Sequence, residues 1–304
     1  MKRRNYERKE IVNYLEKHGW NITQAAKELG IPKTSFLRAI KRFGIQQGIV
    51  SEPEAVKITE QEPTREEFTT GQEKKKKSRV LVIGDMHEPF AHRNYLEFVR
   101  EVYNEFGCDK IVFIGDVVDN HSISYHDHNP DGMSPGSELQ QAKKKLQKWA
   151  KAFPEALVCI GNHDELLYRK AVTHGLPNEV FRGFNGVYGT PVTWQWRLSW
   201  ELDNVLYQHG TGNSGESAHK TRALKNRQST VIGHVHSHAG VAYMASEKDL
   251  IFGMNVGCGI DIKSYAMLYG RNFVCRPTLG CGVVLEGKHA FFIPMDLGTK
   301  IKWA

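Results

Sequence analysis

The residue types that could do chemistry in this chain gather where short apolar runs end in glycine. The run "RVLVIG" is followed by Asp85 and His87, "DKIVFIG" by Asp116 and Asp119, and "ALVCIG" by Asn162. Side chains two positions apart at the end of a strand point the same way, so Asp85 and His87 form a pair. The full series, in chain order, is Asp85, His87, Asp116, Asp119, Asn162, His163, His209, His234 and His236.

This series offers carboxylate, imidazole and amide groups but no thiolate. Such ligands suit manganese, iron or zinc, and their number indicates two divalent metal ions rather than one. A single Asp or His at a strand end is usually structural, so the prediction depends on the whole series. A pair of divalent ions lowers the pKa of water and neutralises phosphoryl oxygens, so hydrolysis of a phosphoester needs no protein nucleophile.

The elements that must position these residues alternate between strand and helix patterns. Strands are predicted at 79–85, 109–116 and 156–164, and amphipathic helices at 92–107 and 137–153. This order predicts an α/β fold with a largely parallel, helix-covered sheet, in which functional groups gather at the carboxyl ends of the strands. The sequence after about residue 190 is rich in strand patterns. It predicts a second sheet that is mostly antiparallel in its outer part.

Five short blocks carry a family resemblance. The blocks "GDMH", "GDVVD", "GNHD", "HG" and "GHVH" occur in this order between residue 79 and the C-terminus. They resemble the signature blocks of the calcineurin-like metallophosphoesterase family. The resemblance implies a four-layer α/β/β/α sandwich, with a dinuclear metal centre between the loops at the strand ends. Manganese is the expected metal, with iron or zinc as alternatives.

The resemblance also implies a role for each residue of the series. His163 faces the substrate and protonates the leaving group, and Asp119 orients it, in keeping with general acid catalysis. Asp116 bridges the two metals. The first metal is held by Asp85, His87, Asp116 and His236, and the second by Asp116, Asn162, His209 and His234.

One block departs from the family pattern. Many phosphatases of this family have Asp-Arg-Gly where this chain has Asp119, Asn120 and His121. The missing arginine counts against a protein serine/threonine phosphatase but not against a phosphodiesterase or nuclease. Asn120 and His121 are therefore candidate substrate contacts, whereas His126 and His128 in the same loop are more typical of a solvated loop.

A second candidate surface for the substrate follows His209. A turn rich in glycine and serine leads into a predicted helix, whose start could receive a phosphate group. An ordinary capped surface helix is an equal alternative. The candidate contacts on this helix are His219, Lys220 and Arg222.

The N-terminal region predicts a separate module. Residues 1–50 carry a net charge of +7, whereas residues 80–304 are neutral. Helical patterns cover residues 7–18, the stretch "NITQAAKELG" with Thr23 as N-cap, and "IPKTSFLRAIKRFG". The segment resembles the helix-turn-helix of the factor-for-inversion-stimulation class, in which the last helix enters the DNA major groove. The alternative is a three-helix module that binds protein or only packs.

The helix-turn-helix resemblance implies DNA as a partner. Helix-turn-helix proteins often form dimers, so a dimer is possible, although the sequence does not reveal an interface. The candidate DNA contacts are Lys33, Thr34, Arg38, Lys41 and Arg42.

The predicted organisation is therefore a helix-turn-helix at 1–46, a flexible charged linker at 47–78 and a metallophosphoesterase domain at 79–304. The five cysteines show no CxxC spacing, which favours reduced thiols and a cytoplasmic location. Apolar runs stay far below the roughly 20 residues of a membrane span. The combination of domains is typical of bacterial or phage proteins.

Three functions fit these features. The first is a metal-dependent phosphodiesterase or nuclease that the helix-turn-helix brings to DNA. The second is a phosphomonoesterase that acts on proteins or nucleotides. The third is a DNA-binding regulator with a non-catalytic phosphoesterase domain, which the intact ligand series disfavours because a degenerate site would be expected.

Overall fold

The computed structural model describes residues 8–43, 70–73, 77–125, 129–270 and 274–296. The chain divides into two compact units, Met1–Val56 and Lys57–Ala304. Within the described part of the chain, no helix is long and apolar enough to cross a membrane.

The first unit consists of three helices, α1 (Arg8–Lys17), α2 (Ile22–Glu28) and α3 (Lys33–Arg42). The three predicted helices are thus confirmed, but the N-cap of α2 was predicted at the wrong residue. Asn21, not Thr23, precedes the helix, and its side chain accepts a hydrogen bond of 3.2 Å from the amide of Gln24. The helices enclose a small core formed by Ile11, Leu15, Ala25, Ala26 and Phe36.

The described residues of the second unit form two six-stranded sheets. The first sheet has the order β12-β11-β2-β3-β4-β5. Its strands β2 to β5 are parallel, whereas β11 and β12 are antiparallel to their neighbours. These strands span β2 (Arg79–Ile83), β3 (Lys110–Phe113), β4 (Ala156–Cys159), β5 (Trp194–Arg197), β11 (Gly280–Leu285) and β12 (His289–Pro294).

Helices cover one face of the first sheet. A large core of buried aliphatic and aromatic side chains joins them to β2, β3, β4 and β5. The predicted strand and helix order of this half is confirmed. The helices are α4 (Tyr95–Glu105), α5 (Pro135–Ala152), α6 (Leu166–Thr173) and α7 (Gly183–Tyr188).

The second sheet has the order β1-β6-β7-β8-β10-β9 and packs on the other face of the first through an apolar core. Helix α8 (Ala218–Asn226) covers its outer face, where Gly253 lets the helix backbone approach the sheet closely. The result is the predicted α/β/β/α sandwich. The strands are β1 (Thr70–Glu73), β6 (Ser199–Leu202), β7 (Val205–Gln208), β8 (Ser229–Ile232), β9 (Gly240–Ala245) and β10 (Leu250–Asn255).

The pairing within the second sheet differs from the prediction. β9 is antiparallel to β10, but β1, β7 and β8 each pair in parallel with a neighbour. The last two strands, β11 and β12, belong to the first sheet. The chain returns there through Cys258, whose backbone bridges to both Asp85 and Leu279. Local strand patterns do not specify such long-range partners.

The predicted linker contains one strand. β1 lies inside residues 47–78 and pairs in parallel with β6, with Thr70 opposite Ser199. Without β1, β6 would be the edge strand and would leave a row of backbone donors and acceptors open, and even a polar segment can satisfy them through its main chain. Residues 44–69 lie outside the described part of the chain.

The buried hydroxyl of Tyr95 holds the end of β2, which leads into the block that contains Asp85. Tyr95 of α4 accepts a hydrogen bond of 3.0 Å from the amide of Gly84 and donates one of 2.7 Å to the carbonyl of Gly280. Its ring lies against Gly259, where any Cβ would overlap it. Tyr95 therefore joins β2 to β11 directly beside Asp85.

We expect Tyr95→Phe to lower the free energy of unfolding by about 1–3 kcal/mol, because it leaves a buried amide and a buried carbonyl without their partner. Urea unfolding followed by circular dichroism measures this change. Tyr103→Phe on the same helix is the matched control, since its ring is half-buried and the described contacts give its hydroxyl no hydrogen bond. Equal stability of the two variants would contradict the role given to Tyr95.

Candidate metal centre

The candidate metal ligands lie at the carboxyl ends of strands from both sheets. Asp85, Asp116 and Asn162 follow β2, β3 and β4 of the first sheet, whereas His209 and His234 follow β7 and β8 of the second. The sheet-to-sheet packing therefore sets the distances between carboxylates and imidazoles.

Several of these residues have a backbone conformation that side chains seldom adopt. The φ angles are +53° at His87, +47° at Asp116 and +66° at His234. Such left-handed conformations cost on the order of 1 kcal/mol or more for residues other than glycine, and they cluster at functional sites. The strain at these three positions supports a role beyond packing.

The first ligand group consists of Asp85, His87 and His236, with one ligand atom of each within 4.8 Å of the others. The Nε2 atom of His236 lies 3.0 Å from Oδ2 of Asp85 and 3.3 Å from Nε2 of His87. Asp85 is fully buried, and its Oδ2 also accepts the amide hydrogen of His234 at 2.8 Å.

The second group consists of Asp116, His209 and His234, with Asn162 beside them. The Nε2 atom of His209 lies 3.1 Å from Oδ2 of Asp116, 3.0 Å from Oδ1 of Asn162 and 3.2 Å from Nδ1 of His234. The same Asp116 oxygen is 3.7 Å from Nε2 of His87 in the first group. Asp116 thus lies between the two groups, where a shared ligand would be placed.

The donor atoms fit divalent metal ions. Imidazole nitrogens face each other at 3.3 Å between His87 and His236, and at 3.2 Å between His209 and His234. Two lone pairs at that distance repel unless a proton or a cation lies between them. In addition, the buried Oδ1 of Asp85 has no hydrogen-bond partner among the described residues. Buried polar atoms normally have a partner, and a cation would supply one here.

His163 belongs to neither of these two groups but forms a third cluster of possible ligand atoms with His87 and Asp119. Its amide donates a hydrogen bond of 2.8 Å to Oδ1 of Asp116. Its Nδ1 lies 2.5 Å from the carbonyl oxygen of Asp119, so this nitrogen carries the hydrogen and donates it. Nε2 is then the ring atom available for proton transfer to a substrate.

The carboxylate of Asp119 lies close to two histidine rings. Its carboxylate oxygen Oδ1 lies 2.6 Å from Nδ1 of His87 and 3.4 Å from Nδ1 of His163. The orientation of His163 therefore comes mainly from the main-chain carbonyl of Asp119, while the carboxylate fixes the ring of His87. A carboxylate behind a ligating histidine sets its tautomer and raises its basicity.

The electrostatics of the centre favour positive charge. Burial alone would lower the pKa of His209, but the charges of Asp116 and Asp85 outweigh it and raise the pKa to about 9. Burial likewise opposes protonation of His163, and the charges of Asp116 and Asp119 raise its pKa above the ordinary value. The negative potential that favours these protons would equally favour metal cations.

Side chains that are not candidate ligands or catalytic groups hold the loops of the metal centre in place. Asp164 is fully buried and accepts amide hydrogens from Val118 at 3.1 Å and from Gly161 at 2.9 Å. Burial and the neighbouring Asp116 raise the pKa of Asp164 to about 7. Tyr188 donates a hydrogen bond of 2.5 Å to the carbonyl of Asp164. Sequence reasoning missed Tyr188, because nothing in its local pattern distinguishes it from a core aromatic residue.

The two candidate contacts after Asp119 are buried rather than open to a substrate. The amide nitrogen of Asn120 donates hydrogen bonds of 2.9 Å to the carbonyl of His163 and 3.0 Å to the hydroxyl of Tyr188. The ring of His121 packs near Tyr265, and its amide donates to the buried carboxylate of Glu138 at 2.7 Å. Both residues therefore stabilise the loop. His126 and His128 lie outside the described residues.

The candidate contacts on α8 are not members of either ligand group. Arg222 donates a hydrogen bond of 3.3 Å to the side-chain oxygen of Gln208, beneath the helix. His219 is half-buried where α8 meets β10, and burial lowers its pKa with help from the nearby His238. Lys220 is exposed. A role in substrate binding stays a prediction for these three residues.

The candidate DNA contacts lie on the outer face of α3. The side chains of Lys33, Thr34, Arg38 and Lys41 are exposed, while Phe36 of the same helix is buried in the small core. The side chain of Arg42 lies outside the described part. A basic, solvent-facing helix is what contact with DNA phosphates requires.

Comparison with protein families identifies both units. The calcineurin-like phosphoesterase model matches residues 78–256, more than half of the chain. The chain belongs to the calcineurin-like phosphoesterase family. The model of bacterial regulatory proteins of the Fis family matches residues 2–43. The match to the phosphoesterase family ends before β11 and β12, which nevertheless complete the first sheet.

Comparison with other proteins gives distant similarities. Vacuolar protein sorting 29 from Cryptosporidium parvum is 11% identical, with a TM-score of 0.36, and the alignment covers 69% of this chain and 86% of that one. YfcE, a phosphoesterase from E. coli, is 18% identical with a TM-score of 0.33, over 67% of this chain and 87% of its own. Curated protein sequences give no match to this chain.

We expect Asp119→Asn to weaken manganese binding by about 10- to 100-fold, because an amide behind His87 no longer stabilises the ligating tautomer. Isothermal titration calorimetry of the metal-stripped protein measures the affinity directly. Asp131→Asn makes the same chemical change at an exposed loop position and is the control. Unchanged affinity in Asp119→Asn would show that the carboxylate does not support a metal ligand.

Proposed function

We propose that this protein is a metal-dependent phosphodiesterase that cleaves DNA and is brought to it by its N-terminal helix-turn-helix. The observation that carries the hydrolytic part is the convergence of two complete ligand groups beside His163. A degenerate phosphoesterase domain that only binds a ligand would have lost members of this set.

The residues of the centre have separable tasks. Two divalent ions, for which manganese is our choice, would activate water and neutralise phosphoryl oxygens when bound by the two groups. His163 protonates the departing oxygen through Nε2, and the hydrogen bond from its Nδ1 to the carbonyl of Asp119 holds the ring for that role. Asp116 accepts a hydrogen bond from the backbone amide of His163 and so positions the backbone of that residue.

The preference for a diester rests on two features of the chain. The position that carries a phosphate-binding arginine in many family phosphatases is Asn120, and its amide group is bonded to His163 and Tyr188. A phosphomonoester carries more negative charge than a diester and gains more from such an arginine. The exposed basic face of α3 supports DNA as the polymer.

We expect His163→Gln to lower the rate of DNA hydrolysis by about 100-fold or more, with manganese affinity retained, because the departing alkoxide loses its general acid. The loss on bis-p-nitrophenyl phosphate should be much smaller, because p-nitrophenolate leaves without a proton. Asp116→Asn should lose both activity and metal binding. Rates on this diester, on p-nitrophenyl phosphate and on DNA are measured side by side with added manganese. His174→Gln, at the exposed histidine that follows α6, is the control. Cleavage of the monoester alone would overturn the proposed diester activity.

We expect the double variant Arg38→Gln, Lys41→Gln to bind duplex DNA more weakly and to lower the slope of log affinity against log salt by about 2, because two phosphate contacts are lost. Fluorescence anisotropy of a labelled duplex at several salt concentrations gives this slope. Lys9→Gln, exposed on α1, is the matched control. An unchanged slope would exclude α3 as the DNA-facing helix.

A further inference from the structure

An exposed aromatic ring lies close to two cationic side chains on segments that leave the metal centre. Tyr125 is 64% exposed. The Nζ atom of Lys170 lies 4.4 Å from the centre of its ring, and the guanidinium carbon of Arg169 lies 5.8 Å from it. None of these three residues belongs to either ligand group.

The two segments are tied to each other beside the centre. Tyr125 follows the short 3-10 turn that leaves Asp119, and α6 begins directly after His163, whose carbonyl accepts the amide hydrogen of Leu166. Asn120 joins the two segments through its hydrogen bond of 2.9 Å to the His163 carbonyl. Glu138 of α5 holds the 3-10 turn by accepting two of its amide hydrogens.

The distance from the centre can be estimated from the helix. Lys170 is four residues beyond Leu166, the first residue of α6, which corresponds to about 6 Å along the helix axis. A nucleic-acid strand advances about 3.4 Å per nucleotide in a duplex, so this stretch of helix matches roughly two nucleotides. A strand whose scissile phosphate lies at the metal centre could therefore reach the tyrosine ring.

The three side chains combine the two features that bind single strands. An exposed aromatic face stacks with any base, and adjacent lysine and arginine side chains attract the phosphates on either side. A cation near the face of a ring also interacts favourably with its π electrons, which holds the ring in place.

We propose that Tyr125, Arg169 and Lys170 form a binding subsite for the nucleic-acid strand that flanks the scissile phosphate, with the base stacked on Tyr125. This proposal rests on the proposed function, because it assumes that the substrate is a polynucleotide. The subsite would supply contacts to the nucleotides beside the scissile phosphate. The buried side chains of Asn120 and His121 do not supply such contacts.

The test compares a small diester with a single-stranded oligonucleotide on the full-length protein. Tyr125→Leu removes the π face, Tyr125→Phe retains it, and Arg169→Gln with Lys170→Gln removes the charges. Lys148→Gln, exposed on α5, is the control for loss of a surface charge. Each variant is assayed with manganese on bis-p-nitrophenyl phosphate and on a fluorescein-labelled strand of about 12 nucleotides. Anisotropy of the same strand gives its affinity.

We expect Tyr125→Leu to raise the KM for the oligonucleotide by roughly fivefold to a hundredfold, the effect of losing one stacked base, and to weaken binding equally. Tyr125→Phe and Lys148→Gln should stay within twofold of the original protein. Kinetics on the small diester should be unchanged in every variant, which also shows that each one is folded. The N-terminal unit is the same in all variants, so differences between them come from the second unit.

The outcomes separate this proposal from the proposed function. Cleavage of the oligonucleotide with the same KM in Tyr125→Leu overturns the subsite and leaves the nuclease function standing. Binding without cleavage overturns the nuclease function, and the subsite then stands only if Tyr125→Leu weakens that binding at least fivefold. Absence of both binding and cleavage overturns both proposals.

Discussion

The burial of four carboxylates in one place is the constraint on which the rest of this structure depends. Asp85, Asp116, Asp119 and Asp164 are each at most 1% exposed, and they follow three neighbouring strands of the first sheet. A charged group removed from water costs several kcal/mol unless it is paired or hydrogen-bonded. The fold must therefore bring donors, imidazoles or cations to each of these oxygens.

The four carboxylates are compensated in different ways, and the difference assigns their roles. Asp164 accepts two backbone amide hydrogens and is satisfied within the loops. Asp119 faces a histidine ring at 2.6 Å, which makes it a support for His87. Asp85 and Asp116 face imidazoles of both ligand groups, and Oδ1 of Asp85 lacks a hydrogen-bond partner within the described ranges. A metal centre is the arrangement that completes this compensation.

Three of the four histidines in the two ligand groups come from the other half of the sandwich, and only His87 follows a strand of the first sheet. His209 and His234 follow β7 and β8, so carboxylates of the first sheet meet histidines of the second. The apolar core between the sheets thus fixes the distance between the two kinds of ligand. A core substitution that shifts one sheet against the other would move ligand atoms apart, although it touches none of them.

The sequence was informative where the chemistry is local. Glycine before Asp85, Asp116 and Asn162 marked strand ends, and ligand types at those ends predicted two groups that the structure brings together. It was uninformative where a partner lies far along the chain. The pairing of β11 with β2 and of β1 with β6 depends on which sheet edge is open, which no local pattern encodes.

The direction of side chains within a loop was the second feature that the sequence did not predict. Asn120 and His121 stand next to Asp119 in sequence and were predicted to meet the substrate. A left-handed backbone at Asn120 (φ +53°) and the buried Glu138 turn this segment inward instead. Neighbours in sequence can thus face opposite sides of a loop, and only the backbone angles decide which one reaches the site.

The distribution of charge explains why a polynucleotide would need both units. Residues 80–304 are neutral, so the phosphoesterase domain attracts a polyanion only through local features, whereas residues 1–50 carry +7. Binding by one unit makes the encounter of the other with the same polymer intramolecular, which raises the effective concentration of the substrate. Under that condition a weak contact with a few nucleotides is sufficient at the metal centre. Under the proposed function, a neutral catalytic domain would bind the cleaved polymer weakly, which favours release of the product.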